Sequence, residues 1–446
     1  MPWVNDENAS AFVDLYELTM AASEFAQSMN EPATFELSVR QLPPGRGFLV
    51  ACGLEDAVAF LDRFAFSPDT IDYLRSLGTF DAAFLGALGR LRFTGDVWAV
   101  PEGEAVFAGE PLLRVTAPLI EAQLAETFLL NAIAFQTMVA TKAARIALAC
   151  GDRTFVDFSG RRDHGAGAAL GAARASFVGG ASATSNVLAG QLYGLDLSGT
   201  MAHSYVLSFT DETDAFRAYA RDFPEGAVLL IDTYDTVEGA RRAAAVANEL
   251  RPEGMAIRAV RLDSGDLGAL AHEVRAVLDE AGCPEIRIFA SSDLDEYRIA
   301  GLVAEGAPID AFGVGTRLGT SADAPSLGGV YKLVAGPRGP VMKRSAGKAS
   351  LPGVKQVYRE ERDGRSIADT IALAGEPAPT GRPLLEQVMA AGRRLAPPEP
   401  LGTMQERRAA AVARLPESAR DLEAPAGVYP VRLSGGLTNL VERLGG

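Results

Sequence analysis

Acids and small polar residues recur at matched places in this sequence. Apolar runs at 154–158, 227–231, 256–262, 285–290 and 309–314 read as strands, and their carboxyl ends carry, in order, Asp157, Asp232 with Asp235, Asp263 with Asp266, Ser291-Ser292-Asp293, and Gly313-Val-Gly315-Thr316. One such residue at a turn is ordinary capping chemistry. Five ends in succession point to a ligand. A phosphorylated sugar needs carboxylates for its hydroxyls, and backbone N–H groups with an Arg or a hydroxyl for its phosphate. Asp263 with Arg261 meets the first need and Gly315-Thr316 the second. His203, reached through the small residues of Gly199-Thr200-Met-Ala-His203, lies upstream of the strand that ends at Asp232. An imidazole oriented by that carboxylate would serve as nucleophile or base, and a core or capping histidine is the plain alternative. His164, in Arg161-Arg162-Asp163-His164, reads equally as a phosphate contact or a surface residue, and His272 as an exposed helix residue.

The elements that position these residues alternate. Helical patterns at 236–250, 267–281 and 295–305 separate most of the strands at spacings of a parallel βα fold, in which ligands bind at the carboxyl ends of the strands. The first ~120 residues mix types: a strand at 35–41, a helix at 53–66, a helix start at Ser67-Pro68-Asp69, a β-meander over 91–115, then a long helix over 119–149. Beyond Gly336 the pattern weakens to Pro/Gly-rich stretches and one helix at 404–414. There is no Gly-x-x-x-x-Gly-Lys-Ser/Thr, and Gly165-Ala-Gly167-Ala-Ala-Leu-Gly171 has one residue too many for a dinucleotide fingerprint.

Composition narrows the classes. The 446 residues hold 42 basic and 57 acidic side chains, a net −15, with 48% hydrophobic and 22% charged, which excludes disordered, collagen-like and disulfide-rich chains. No basic stretch is present for a nucleic-acid backbone. Cys52, Cys150 and Cys283 are too few and too far apart for a disulfide framework or a metal knuckle. The apolar stretch 127–141 contains Asn131 and Gln136 and falls short of the ~20 residues of a membrane span, so it reads as a buried helix. The N-terminus lacks a basic-then-apolar pattern, so the expectation is a cytoplasmic protein with no membrane partner.

The motifs then fall into a family pattern. Asp14-Leu-Tyr16-Glu-Leu-Thr-Met, Phe158-Ser-Gly-Arg161-Arg162, Thr184-Ser-Asn186, Gly199-Thr-Met-Ala-His203-Ser, Arg261-Leu-Asp263-Ser-Gly-Asp266, Ser291-Ser-Asp-Leu-Asp-Glu296, Phe312-Gly-Val-Gly-Thr316 and Gly329-Val-Tyr-Lys332-Leu-Val occur in order. The chain thereby resembles the nicotinate phosphoribosyltransferases, which make nicotinate mononucleotide from nicotinate and phosphoribosyl pyrophosphate for NAD salvage. The resemblance implies an α/β fold, an incomplete βα (TIM-like) barrel with an α+β N-terminal domain. Residues 1–126 would form that domain, completed by C-terminal residues; 127–340 the barrel carrying the active site; and 341–446 a segment packing on the N-terminal domain. It implies a homodimer with shared active sites, ATP as co-substrate, and Mg²⁺ carried with pyrophosphate near Asp263 rather than on a fixed protein site.

The same resemblance assigns roles. His203 would be the phosphohistidine and Asp232 would hold its ring. Tyr16 of the partner subunit and Phe158 would sandwich the pyridine, with Thr200 and Arg261 contacting nicotinate or the adjoining phosphoribosyl group. Arg40 and Arg161 would face phosphates; Asp263, Ser292 and Asp293 the ribose and metal region; Gly315 and Thr316 the 5-phosphate. The related nicotinamide enzyme carries an Asp where this chain has Ser185, so nicotinate is the expected substrate. A quinolinate or nicotinamide phosphoribosyltransferase, or a non-catalytic phosphoribosyl-ligand binding protein, stays as the alternative.

Overall fold

The computed structural model describes residues 4–344 and 350–445, and it divides into two compact units, 1–141 with 326–446 and 142–325. The divisions fall at 141/142 and 325/326 rather than at the expected 126/127 and 340/341. The later one moves because the Gly329–Gly336 strand pairs along Pro32–Val39, drawing its residues into the first unit.

The first unit is built on a seven-stranded antiparallel sheet in the order Gly339–Pro340, Gly329–Gly336, Pro32–Val39, Pro111–Pro118, Asp96–Ala99, Glu386–Ala390, Arg393–Arg394. Pro32–Val39 is buried along nearly its whole length rather than on alternate residues, as befits a central strand covered on both faces. The Glu126–Cys150 helix, with the turn before it, is long and apolar enough to cross a membrane by length and composition alone. Its side chains instead face protein: Leu129 and Ile133 join the core of this unit, and the buried Thr137 and Thr141, one turn apart, accept from the backbone N–H of Cys52 and Val50. Gly53, at φ +95°, lies against the Ala132 carbonyl, where a Cβ would not fit.

A four-stranded sheet, Arg382–Pro383, Lys355–Arg362, Arg365–Leu373, Val431–Leu433, lies where the sequence pattern had weakened. The pattern is hidden because this hairpin buries charge. The Arg359 guanidinium is satisfied by Asp369 (2.9 and 2.6 Å) and Glu104 (2.8 Å), and Lys355 by Glu36 (2.8 Å), so the alternation of apolar residues is broken by ions that face inward. The helix expected at 404–414 forms as Leu401–Arg414.

The second unit is a curled, all-parallel sheet in the order Ala183–Thr184, Thr154–Asp157, Ala311–Val314, Arg287–Ala290, Ile257–Leu262, Ala227–Leu230. The earliest long strand and the last one are neighbours, which is how a βα barrel closes. Among the described residues no pairing joins Ala183–Thr184 to Ala227–Leu230, so the ring stays open there: an incomplete barrel. Residues 196–198 run beside Thr184, bonded at Thr184 N to Asp196 O and Ser198 N to Thr184 O (both 3.0 Å), and carry the chain toward Thr200 and His203.

Arg359→Ala would leave Asp369 buried without its cation and Glu104 with the half-exposed Arg382 as its remaining partner, and would remove the nearby charge from Glu110, whose carboxyl is already held well above the usual range by burial and then by Asp369. The expected cost is about 3–5 kcal/mol at neutral pH. Urea unfolding measures it, and the deficit should shrink as the pH falls and the carboxyls take up protons.

Candidate active site

Arg261, near the end of Ile257–Leu262, presents its guanidinium to the carboxyl ends of the strands. Nε donates to Ser291 Oγ, Nη1 to Thr200 Oγ1 and Nη2 to Asp263 Oδ1, each at 2.8 Å. The side chain is 12% exposed, and its centre lies 5.6 Å from the Phe158 ring. Phe158 in turn tilts against Phe289, with centroids 5.6 Å apart. Gly313, on the intervening strand, is what admits that ring: a Cβ there would stand 2.7 Å from two Phe158 ring carbons and 2.9 Å from Phe289. A planar cation fixed on three sides beside a half-buried aromatic face suits a planar aromatic anion.

The strand-end acids separate into two kinds. Asp235, Asp266 and Asp295 are helix caps, their carboxylates accepting from the N–H of Glu238, Ala269 and Arg298. Asp157 is buried and ties two strand ends, accepting from Thr184 Oγ1 (2.8 Å) and Ser159 N (2.9 Å). Asp263 stays half-exposed beside Arg261 and Ser291.

The expected His203–Asp232 contact is not made. His203, at the start of the His203–Leu207 helix, has Nδ1 on Thr233 Oγ1 (3.1 Å), and Nε2 lies 3.9 Å from Asp263 Oδ2. Asp232 accepts instead from the Asp263 N–H (3.0 Å) and the Ser264 hydroxyl, while its Oδ1 is buried without a hydrogen-bond partner among the described residues. The reason is local: the carboxylate is taken up by the turn that follows the neighbouring strand, and the next side chain, Thr233, reaches the ring. Thr233, Ser264 and Arg317 were not singled out from sequence. Ser264 stood inside a quoted motif, and Ser291 was named only as part of a strand end and its motif; Thr233 and Arg317 carry no signal beyond lying next to named residues.

At the far side, Ser292 and Asp293 both take positive φ, +99° and +42°. Asp293 receives Arg317 in a two-bond contact, 3.2 Å at each oxygen, and that guanidinium holds its carboxyl below the usual range. A Cβ on Gly315 would lie 3.3 Å from the Phe158 carbonyl, so the Gly315-Thr316 turn adjoins the Phe158 loop. Ser185 is exposed, its N–H bonded to Asp157 O at 2.9 Å, and Arg161 is exposed on its loop. Phe158, Thr200, His203, Asp263 and Arg261 are thus brought together, Asp232 joins them through backbone, and Asp293 meets Arg317.

Tyr16 and Arg40 belong to the other unit and are exposed there. Tyr16, on the Leu15–Ala26 helix, is hydrogen-bonded to Glu126, and burial with the nearby Glu126 and Glu17 pushes its phenol up to about 12. Glu17 is fully buried, with Oε1 accepting from the Thr127 hydroxyl. Burial pushes it up to about 7; Thr127 works against the shift and the charges of Glu126 and Asp14 add to it.

Residues 12–134 match the family model of the nicotinate phosphoribosyltransferase (NAPRTase) N-terminal domain. A Mycobacterium tuberculosis nicotinate phosphoribosyltransferase is 47% identical over 97% of this chain and 93% of its own, and the Bacillus subtilis one is 44% identical over 83% and 77%. This chain belongs to the nicotinate phosphoribosyltransferase family. The crystal structure of human nicotinic acid phosphoribosyltransferase superposes with a TM-score of 0.87 at 32% identity, covering 97% of this chain and 99% of that one. Nicotinate-nucleotide pyrophosphorylase from Pyrococcus furiosus, at 24% identity and a TM-score of 0.77, shares the fold. The family's N-terminal domain therefore includes Tyr16 and the buried Glu17.

A carboxyl whose folded-state titration is raised favours folding while protonated. Glu17 therefore contributes stability fully present below about pH 4.5 and lost as the pH rises through about 7. Glu17→Gln should flatten this part of the pH profile and be the more stable form at pH 8. Urea unfolding of both proteins at pH 5 and pH 8 checks this.

Proposed function

We propose that this chain transfers the phosphoribosyl group of phosphoribosyl pyrophosphate to nicotinate, releasing pyrophosphate, and couples the cycle to ATP through a phosphohistidine at His203. One observation carries the substrate reading. The Arg261 guanidinium, held by Ser291, Thr200 and Asp263 beside the Phe158 ring, offers a fixed charge and an aromatic face to a pyridine carboxylate. A quinolinate substrate would ask for further cations there for its second carboxylate. Ser185 leaves the pocket without the carboxylate that would repel nicotinate.

In the transfer, the pyridine nitrogen bonds to ribose C1 as the C1–oxygen bond to pyrophosphate breaks, through an oxocarbenium-like transition state. Phe158, with Tyr16 of the partner subunit on the other face, orients the ring at little entropic cost. Asp263 and Asp293 would face the ribose and metal region, Gly315 and Thr316 the 5-phosphate, and Arg161 phosphates. Asp263 and the unpartnered Oδ1 of Asp232 are hard oxygen donors of the kind Mg²⁺ takes alongside substrate phosphates. Held there with pyrophosphate, the ion would supply positive charge to the leaving group. His203, 43% exposed, is open to ATP, and Thr233 keeps its Nδ1 engaged so that Nε2 is the nitrogen offered. A phosphoryl group there would add charge beside the site and favour product until its hydrolysis.

A homodimer with shared sites is supported by two apolar faces left in solvent. Leu15, Tyr16 and Met20 stand exposed on the Leu15–Ala26 helix, and Val187, Leu188 and Leu192 on Val187–Tyr193. We place the enzyme in the cytoplasm, in NAD salvage.

With nicotinate, phosphoribosyl pyrophosphate, Mg²⁺ and ATP, the protein should form nicotinate mononucleotide and ADP together. His203→Ala should abolish ADP release while lowering synthesis; full ATP-coupled synthesis in that variant would sink the assignment. Tyr16→Ala and His203→Ala proteins, each defective alone, should regain coupled synthesis when mixed and reassociated. If the mixture performs as the average of its parts, the sites are not shared.

A further inference from the structure

Arg317 follows Gly315-Thr316 directly and is the cation of that turn. Its partner, Asp293, stands at the end of the adjacent parallel strand, Arg287–Ala290. Both are exposed, 43% and 62%, and their two contacts are long for a guanidinium–carboxylate pair. Such a pair is weak and readily exchanged. The acids Asp295 and Asp323 also act on Arg317 at longer range, and Arg298, which donates to Ser292 O (3.2 Å), acts on Asp293.

Two features show that this corner is built. Ser292 and Asp293 are consecutive non-glycine residues at positive φ, a conformation that persists only where its surroundings impose it. Gly319, closing the Arg317 turn, leaves no room for a Cβ against Asp163 and Ser159, so the turn is pressed onto the loop that carries Arg161 and Arg162. The rigid arginine of the site cannot serve here: all three nitrogens of Arg261 already donate within the protein. Among the described residues, Arg317 is held by one exchangeable carboxylate.

We propose that Arg317 is a substrate-binding residue for the 5-phosphate of phosphoribosyl pyrophosphate, parked on Asp293 until that phosphate arrives. A phosphate dianion offers the guanidinium the same two-oxygen geometry as a carboxylate with more charge, so the exchange runs toward substrate. The inference rests on the reading above that phosphoribosyl pyrophosphate binds at Gly315-Thr316, and extends it to a residue outside that pair.

Steady-state kinetics with each substrate varied separately, and inhibition by ribose 5-phosphate and by inorganic pyrophosphate, test it. Arg317→Ala should raise KM for phosphoribosyl pyrophosphate about 10- to 100-fold, the loss of one charge-assisted contact, with KM for nicotinate and Tm as in the wild type. Ribose 5-phosphate should weaken as an inhibitor in parallel, and pyrophosphate should not. Arg317→Lys should recover part of the loss. An unchanged KM for phosphoribosyl pyrophosphate overturns the proposal, as does a loss confined to pyrophosphate inhibition. A wild-type protein that makes no nicotinate mononucleotide overturns the underlying reading instead.

Discussion

The guanidinium of Arg261 donates to Ser291 from one neighbouring strand end, to Thr200 from the segment across the open side of the barrel, and to Asp263 just beyond its own strand. A mostly buried cation needs its donors satisfied and its charge matched, so these contacts fix the relative positions of three chain segments as well as of one side chain. Phe158 lies against the same group, and the space for its ring exists because position 313 has no side chain. The open ring serves the same end. With the two-residue Ala183–Thr184 as one edge strand, the sheet leaves a side along which residues 196–198 can run and deliver Thr200 and His203.

The acids at the strand ends show how one sequence feature meets two demands. At three successive ends an acid nearer the strand turns toward the site, and a second acid two or three residues later caps the following helix: Asp232 and Asp235, Asp263 and Asp266, Asp293 and Asp295. The second set anchors the helices by accepting otherwise unpaired N–H groups. The first set is thereby left for partners at the barrel mouth, namely Ser264 and Arg317 from adjacent strand ends and Arg261 from the same one.

The barrel and its mouth were legible because strand, helix and strand-end chemistry repeat with a regular period. Five of the six strands were marked by apolar runs, and the sixth, Ala183–Thr184, is too short to leave a pattern. The C-terminal hairpin escaped because Lys355, Arg359 and Asp369 are buried polar residues in strands, and periodicity reads polarity as exposure. The exchange of Thr233 for Asp232 at His203 lies below what a sequence resolves: adjacent residues leaving a strand diverge, and which one reaches the ring depends on the competing turn at Asp263 and Ser264. Tyr16 had no signal of its own; only the resemblance singled it out.

Charge gives the last step. A net −15 repels anionic substrates at long range, yet net charge acts at distances where salt already screens it, roughly 8–10 Å. What a ligand meets is the local balance. Lys142, Arg145 and Arg359 are neutralised internally, Lys142 by Glu296 and Asp323, Arg145 by Glu296, and Arg359 by Asp369 and Glu104, and they project little field outward. Arg40, Arg161 and Arg162 are exposed, and Arg317 is bound only by a pair that solvent already weakens. The acidic total thus argues only against long polyanions, which need a continuous basic surface, and leaves room for small phosphorylated molecules, which need a few guanidiniums placed where the strands end.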